Sequence, residues 1–180
     1  MNRMVTIICV VSIFVFGTLL AQSPVNVNLG IGGGLSLPMD KLSDATNAGF
    51  HLGGKARISG FMPLNVTGSA NYNRLAFKVG SDAFEVWMLG AGIEYPIPSV
   101  SVSPYFALEA LLDIMTKMPP AGDTRKSIGV GLGCGIEFPV PGFGSVDASA
   151  KYQFLNVLLK EGEETVSQIG VTVLLMFGVI

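Results

Sequence analysis

The sequence predicts an all-β fold: a closed eight-stranded antiparallel up-and-down transmembrane β-barrel, preceded by a signal peptide. Three observations lead to this prediction. Apolar and polar side chains alternate in eight successive segments, and a period of two indicates extended strands because neighbouring side chains point to opposite faces. Charged residues make up only 13% of the 180 residues, which is low for a soluble protein. The connections alternate between proline-marked turns and charged loops, which indicates a barrel with two different ends.

The clearest alternation lies in residues 128–138. One face of this segment is continuously apolar, and the other consists of glycines and Glu137. A continuously apolar outer face is suited to contact with lipid, and an inner face made almost entirely of glycine is suited to the crowded interior of a small barrel. We therefore expect the glycines to make room for larger side chains of other strands, namely Tyr105, Lys55 and Arg57.

The first 21 residues have the features of a secretory signal peptide. Arg3 makes the start of the chain positive, residues 5–20 form an apolar run, and Ala21 is a small residue at the expected cleavage site. The run is shorter than the ~20 residues that a spanning helix needs, so an uncleaved anchor is the weaker alternative. The predicted organisation is a signal peptide over residues 1–21 and one barrel domain over residues 22–180, exported through the Sec pathway.

The first four strands each oppose an apolar face to a polar one. They are predicted over residues 25–37, 49–61, 65–77 and 84–95. Their apolar faces carry, strand by strand, Val25, Val27, Leu29 and Ile31; Phe50, Leu52, Ala56 and Ile58; Val66, Ala70 and Tyr72; and Trp87, Leu89, Ala91, Ile93 and Tyr95. In the third strand the alternation is predicted to fail near Arg74 and Leu75.

The last four strands repeat the pattern. They are predicted over residues 101–115, 128–138, 145–155 and 165–180. Beside the 128–138 segment, their apolar faces carry Val102, Phe106, Leu108 and Leu112; Val146, Ala148, Ala150, Tyr152 and Phe154; and Ile169, Val171, Val173, Leu175, Phe177 and Val179. Pro104 has no N–H to donate to a neighbouring strand, so it is expected near the start of the fifth strand or at a bulge.

The connections divide into two kinds. Three are short and contain proline, at residues 62–64, 96–99 and 139–142. Four are polar or charged, at residues 38–48, 78–83, 116–126 and 159–164. Short turns at one rim and longer loops at the other are typical of barrels that cross an outer membrane.

The outward aromatic residues fall at two heights. Toward the charged loops they are Phe50, Trp87 and Phe154, and toward the proline turns they are Tyr95, Phe138 and Phe177. Two aromatic levels are what the two interfaces of a membrane select.

Eight charged residues fall on the predicted inner faces. They are Lys55, Arg57, Glu94, Glu109, Asp113, Glu137, Asp147 and Lys151. An eight-stranded barrel has an interior just wide enough for its own side chains, so opposite charges there can pair and offset part of their desolvation. We predict that these residues are structural, filling the barrel rather than lining a wide pore.

The chain resembles the small eight-stranded outer-membrane β-barrel family that includes OmpX and the membrane domain of OmpA. The resemblance covers residues 22–180 and rests on the export signal, the eight alternating segments and a shared Gly-x-Glu-aromatic-Pro strand ending at residues 92–96 and 135–139. It implies an integral outer-membrane protein of a Gram-negative envelope, with a structural, envelope-integrity or surface-interaction role. The implied partners are outer-membrane lipid and lipopolysaccharide, the barrel assembly machinery, and an extracellular partner that binds the four charged loops.

No residue pattern predicts catalysis, a metal site or a cofactor. His51 is the single histidine, and Ser36 falls near it across the first hairpin, but no acid is placed to orient the imidazole. Residues 30–34 are glycine-rich but lack the Lys-Ser/Thr and the helix of a phosphate-binding loop. Cys134 lies on the apolar face of its strand and is expected to be a small buried hydrophobe. The net charge of −2 argues against a nucleic-acid partner.

Two alternatives remain at the level of sequence. A small channel for ions or solutes would require the inward charges to line water rather than to pair. A soluble ligand-binding barrel of the lipocalin type would reverse the sidedness and expose Lys55, Arg57 and Glu109 to solvent. An enzyme is the least favoured class.

Overall fold

The computed structural model describes residues 25–60, 63–98, 102–118, 123–158 and 165–179. These residues form eight antiparallel strands that close into one barrel in sequence order, with the eighth strand paired to the first. The strands are β1 (Asn26–Met39), β2 (Gly49–Ser59), β3 (Asn65–Ala76), β4 (Ala83–Pro96), β5 (Ser103–Met118), β6 (Asp123–Val140), β7 (Gly144–Leu158) and β8 (Ser167–Gly178). The predicted fold class is therefore confirmed, while the predicted signal peptide over residues 1–21 lies outside the described residues.

The barrel has two rims of different composition. The connections β2–β3, β4–β5 and β6–β7 lie at one end, here called the proline rim, and the other four lie at the opposite end, the loop rim. At the proline rim, Gly142 turns the chain between β6 and β7 with φ of +78°, a backbone conformation that side chains other than glycine rarely adopt.

A short helix, α1 (Asp40–Ala45), lies in the β1–β2 connection at the loop rim. Leu42 on this helix is buried, and the Thr46 hydroxyl donates to the Leu42 carbonyl at 2.8 Å. No helix in the described part of the chain is long and apolar enough to cross a membrane.

The β5–β6 hairpin is longer than the sequence predicts. Residues 116–126 are predicted as a loop, but most of them belong to the two strands, whose pairing continues to Met118 and Asp123. The register shifts between Met115 and Met118, so the hairpin tolerates an irregularity and still extends. The prediction of a loop is wrong here. Polar residues at an exposed end of a hairpin can still form the hydrogen-bonded pairs of a β-ladder, so polarity alone does not mark where the strands end.

The apolar–polar alternation of β3 reverses at Arg74 and Leu75, as the sequence indicates, but the strand itself continues through them. β3 pairs with β4 without a shift from Asn65 to Ala76. Arg74 is exposed on the outer face and Leu75 is fully buried on the inner one. The polarity of the two faces reverses while the geometry stays regular, because the interior at this end of the barrel is apolar.

Apolar side chains fill the loop-rim end of the interior. This apolar plug consists of Leu42, Leu75, Phe84, Val86, Met88, Leu111, Met115, Leu155 and Val166. Seven of its nine side chains are at most 2% exposed. Burial of this many apolar groups, at roughly 25 cal/mol per Å², makes the plug a major source of stability.

The outer wall is an almost unbroken apolar belt. On β8, for example, Val171, Val173 and Leu175 all point outward and are exposed. Among strand residues whose side chains are described, the charged ones that point outward are Arg74, Glu85 and Lys126, all near the loop rim.

The prediction that Cys134 is buried is wrong. It lies on the outer face, as its parity requires, but the thiol-bearing residue is exposed rather than buried. The reason is that the apolar face of β6 forms the outer wall of the barrel instead of packing on a protein core.

Candidate functional site in the barrel interior

Arg57 on β2 lies at the centre of a charge cluster near the proline rim. Its Nε donates to Glu94 at 2.7 Å, and its two terminal nitrogens donate to Glu137 and Asp147. The planar guanidinium can serve several carboxylates at once, since it presents five N–H donors in a fixed fork. Ser145 adds a further hydrogen bond to Glu137.

The two glutamates belong to the repeated strand ending of the sequence. β4 and β6 both run toward the proline rim, so residues 92–96 and 135–139 both end at that rim. The motif thereby brings Glu94 and Glu137 to the one guanidinium of Arg57. The repeated Gly-x-Glu-aromatic-Pro motif therefore marks two strand ends whose glutamates pair with the same arginine.

Lys55 and Tyr105 complete the cluster. The Lys55 ammonium lies 2.5 Å from Glu94 and 3.1 Å from Asp147, and it donates to the Tyr105 hydroxyl at 3.2 Å. Tyr105 in turn donates to Asp147 at 2.8 Å. Both cations lie over the Tyr105 ring, at 4.8 Å for Lys55 and 5.3 Å for Arg57, within cation–π range.

A second network lies further up the barrel. Lys151 pairs with Glu109 at 2.6 Å, and the Gln153 amide donates to the other Glu109 oxygen at 3.2 Å. Gln168 donates to the Gln153 carbonyl oxygen at 2.9 Å. The interior thus links a charge pair to neutral amides in a continuous chain, which satisfies most of these buried groups, while Gln168 Oε1 has no partner among the described residues.

Ser36 and His51 form a hydrogen bond of 3.0 Å between Oγ and Nδ1, but the direction of the bond does not suit nucleophilic catalysis. The Ser36 hydroxyl donates its single proton to the Asn73 carbonyl oxygen at 2.9 Å, so it must accept from His51 Nδ1–H. The other ring nitrogen, Nε2, lies 2.9 Å from the Thr172 hydroxyl rather than from a carboxylate. Ser36 is also 0% exposed.

Asp113 differs from the other predicted charged residues. It is fully buried, and neither carboxylate oxygen has a hydrogen-bond partner among the described residues. Its cross-strand neighbours are Met88 and Ser127, and the Ser127 hydroxyl donates instead to the Leu155 carbonyl. The expectation that opposite charges pair in the interior is wrong for Asp113, because the plug around it is apolar.

The glycines of β6 face inward and accommodate large side chains, although not the whole predicted set. A Cβ at Gly135 would collide with the Tyr105 ring, as expected. At the other positions a Cβ would meet Glu109 from Gly131, Lys151 from Gly133 and Asp113 from Gly129. The prediction that Lys55 and Arg57 use this space is wrong, since these residues lie on β2 and turn toward the carboxylates near the proline rim.

The interior contains little free space. A cavity of about 30 Å³ lies between the two networks, lined by His51, Asn71, Asn73 and Lys151 among others. That volume holds one or two water molecules. Above it the apolar plug closes the barrel toward the loop rim. The described interior therefore shows no open path from end to end.

The eight predicted charged residues all lie inside the barrel, in three separate settings. Five join the cluster near the proline rim, Lys151 and Glu109 pair above it, and Asp113 is alone. Sequence reasoning missed the part that Tyr105 and Gln153 play in these networks and missed the plug altogether. The available signal was parity, because those of these residues that belong to strands fall on inward positions, whereas Leu42 lies on α1 and Val166 precedes β8. Among the described residues, no group of three or more His, Cys, Asp or Glu side chains is arranged so that it could hold a metal ion.

No protein-family model and no curated protein matches this sequence. Solved structures share the fold. Neisserial surface protein A matches with a TM-score of 0.62 at 17% identity, over 83% of this chain and 95% of that chain. The N-terminal β-barrel domain of Pseudomonas aeruginosa OprF matches at 0.51 and 15% identity, over 87% and 100%. The outer membrane enzyme PagL matches at 0.51 and 12% identity, over 83% and 98%. The fold is therefore that of small eight-stranded outer-membrane barrels, a fold that includes an enzyme.

Proposed function

We propose that this chain is an integral outer-membrane β-barrel that is neither an enzyme nor an open pore, and that it serves envelope integrity or contacts outside partners through its loop rim. The apolar belt is the observation that carries the proposal. From Ile169 to Phe177 the outward residues of β8 are all apolar. Nine residues rise about 30 Å along a strand, or about 22 Å along the axis of a barrel with strands tilted by about 40°. That height matches the hydrocarbon band of such barrels.

The closed interior supports a role without conduction. A pore needs a continuous column of water, but in the described residues the apolar plug fills one end and ion pairs fill the other. A soluble lipocalin-like barrel is disfavoured because its outer wall would be polar, whereas the outer wall of this barrel is apolar.

The Ser36–His51 pair supports a role without catalysis. Because the Ser36 hydroxyl donates to Asn73 and accepts from His51, the imidazole is not placed to take a proton from Ser36. Ser36 is also buried, which keeps it away from substrates outside the wall. Mass spectrometry of lipid A from cells that express the wild type should show no new modification. A modification that disappeared in Ser36→Ala would overturn this part of the proposal.

Orientation follows from the general asymmetry of outer-membrane barrels, in which short turns face the periplasm and loops face outward. The proline rim is then periplasmic, and the surface open to partners is the loop rim, which includes α1 and residues 77–82. We further propose that the chain is exported through the Sec pathway and inserted by the barrel assembly machinery.

Cell fractionation tests the location. We expect the protein in the outer-membrane fraction, with a faster gel mobility when unheated than when boiled, as closed barrels resist detergent until heated. Recovery as a soluble periplasmic protein at high concentration without detergent would favour the lipocalin alternative and contradict the proposal.

Planar-bilayer recording tests the closed interior. We expect no steady single-channel current from the wild type or from Lys126→Gln, whose side chain points outward. Steady currents whose size changed in Glu109→Gln but not in Lys126→Gln would show that water lines the interior, and the channel alternative would then replace the proposal.

A further inference from the structure

Asp113 lies within the apolar plug, on the inner face of β5 between Leu111 and Met115. It is 0% exposed, and neither carboxyl oxygen has a hydrogen-bond partner among the described residues. Its cross-strand neighbour on β4 is Met88, and a Cβ at Gly129 on β6 would lie 2.5 Å from one of its oxygens. The carboxyl group is therefore tightly enclosed at a place where the described side chains offer it no donor.

A second unpartnered group lies next to the same methionine. Within the described part of the chain, the buried side-chain atoms without a partner are the two oxygens of Asp113 and Oε1 of Gln168. The Gln168 amide nitrogen lies 3.6 Å from Met88 Sδ, and Met88 is also the cross-strand neighbour of Asp113. All three atoms are acceptors, so this part of the interior lacks donors. A proton on Asp113 turns one acceptor into a donor.

The charged groups nearest to Asp113 along its own hairpin do not compensate an ionised carboxylate. Glu109, four residues away on the inner face of β5, carries the same charge and is already paired with Lys151 at 2.6 Å. Arg125 on β6 lies opposite Met115, but no hydrogen bond joins it to Asp113. An ionised Asp113 would therefore add an unpaired negative charge to a strand face that already holds a carboxylate.

The other elements around the plug present uncharged side chains to it. They are Asn73 and Leu75 on β3, Val86 and Met88 on β4, Ser127 on β6, Leu155 on β7 and Gln168 on β8. His51 on β2 is engaged with Ser36 and Thr172. The charged residues of α1 are exposed at the loop rim, namely Asp40, Lys41 and Asp44. These surroundings favour a neutral carboxyl group, because an isolated buried charge costs far more than a neutral group that lacks one partner.

We propose that Asp113 is a proton-binding site that holds the apolar plug closed, and that loss of its proton to water loosens the plug. An ionised carboxylate needs hydrogen-bond donors, and water is the source that remains while Lys151 is bound to Glu109. Water reaches Asp113 only if the apolar side chains around it move apart, a local opening that costs less than global unfolding. The loop-rim end of the barrel thereby responds to pH.

Folding is then coupled to the uptake of a proton. An aspartate in an unfolded chain loses its proton at about pH 3.9, whereas Asp113 keeps its proton in the closed barrel. The unfolded state binds fewer protons above that pH, so stability falls as the pH rises. Relative to Asp113→Asn, the unfolding equilibrium constant of the wild type should increase about tenfold per pH unit between about pH 5 and about pH 7. Urea titration in detergent micelles measures both proteins at each pH.

Asp44→Asn is the matched control, since Asp44 is exposed on α1 and its surroundings change little on unfolding. The ratio of its unfolding constant to that of the wild type should stay constant over the same pH range. All other titrating groups, including His51, are shared by the proteins compared, so their contributions cancel. A ratio that is constant for Asp113→Asn as well would overturn the inference, because Asp113 would then be ionised in the folded barrel.

Thiol labelling tests the link between the proton and the plug. Leu75 is 0% exposed in the plug, so Leu75→Cys is combined with Cys134→Ser, with and without Asp113→Asn. A small water-soluble thiol reagent should label both proteins at the same slow rate in acid. As the pH rises, the protein that keeps Asp113 should be labelled faster than its counterpart, by up to about tenfold per pH unit. Thiol ionisation affects both proteins alike and cancels in this comparison.

Equal labelling rates at every pH would overturn the proposed action of the proton on the plug. Heat-modifiable mobility shows whether each labelled variant is folded, and the urea titrations need no cysteine variant. Neither measurement bears on the proposed outer-membrane location, which cell fractionation tests separately.

Discussion

The ring of Tyr105 on β5 occupies the space that the missing side chain of Gly135 leaves on β6. The two residues are direct cross-strand neighbours in the barrel wall. A Cβ at position 135 would fall on the phenol end of the ring, which is held by its hydrogen bond to Asp147. The glycines on the inner face of β6 therefore leave the space that the side chains of the interior networks occupy.

Gly135→Ala should destabilise the barrel, because the added methyl group displaces a ring that cannot move without breaking the charge cluster. We expect a loss of about 1–3 kcal/mol in the free energy of unfolding, the usual cost of overpacking. Gly68→Ala is the matched control, since its Cβ would point outward with no atom nearer than 4.0 Å. Urea titration in detergent micelles measures both, and equal midpoints for the two variants would contradict the tight fit at Gly135.

Arg57→Gln should be much more damaging than Arg74→Gln. Loss of the buried guanidinium leaves three carboxylates short of their main partner, so we expect a cost of about 3–5 kcal/mol. Among the residues that the structure describes, Arg74 pairs with Glu85 at the surface, so its loss should cost less than about 1 kcal/mol. The same urea titration gives both values, and similar costs would mean that the cluster does not hold the barrel together.

Asp113→Asn should raise stability. A fully buried carboxylate whose oxygens have no described partner costs free energy that a neutral amide of the same shape reduces, so we expect a gain of about 1–3 kcal/mol. Glu109→Gln, which weakens the pair with Lys151, should instead destabilise. Unfolding midpoints measured side by side decide the matter, and a loss of stability in Asp113→Asn would point to a partner for this carboxylate.

His51 should carry its proton on Nδ1 when neutral. The hydrogen bonds run from His51 to Ser36 and from Ser36 to Asn73, which leaves Nε2 as an acceptor for the Thr172 hydroxyl. Nitrogen chemical shifts of the single histidine report the tautomer directly. Thr172→Val removes the donor to Nε2 and should increase the Nε2–H population, whereas a wild type already in the Nε2–H form would reverse the inferred proton order.

The faces of the barrel wall were predictable because they follow from a local rule. Along β6, a period of two sets every outward and inward residue from Ile128 to Phe138, whatever the rest of the chain does. The same rule gave the inward position of Lys55 and Asp147. Closure of the eight strands into a barrel does not change which residues of a strand point inward and which point outward.

The contents of the interior were less predictable because they depend on strands that are not neighbours. Which side chain fills the space at Gly131 or Gly133 is decided by the relative heights of side chains across the barrel, and a small change of stagger exchanges one candidate for another. The plug was missed for a different reason. Leu111 and Leu155 fall on inward positions next to outward apolar residues, so alternation there gives no contrast to detect, and at Leu75 the contrast with the outward Arg74 is reversed.

The plug also decides how the interior communicates with its surroundings. The side chain of Glu137 is 23% exposed, so water reaches the charge cluster from the proline rim. The opposite end is closed by the apolar side chains of the plug, including Leu42 of α1. In the described residues, the polar interior is thus accessible from the proline rim and closed toward the loop rim. In the proposed orientation, water and protons would therefore exchange with the polar interior through the proline rim, on the periplasmic side.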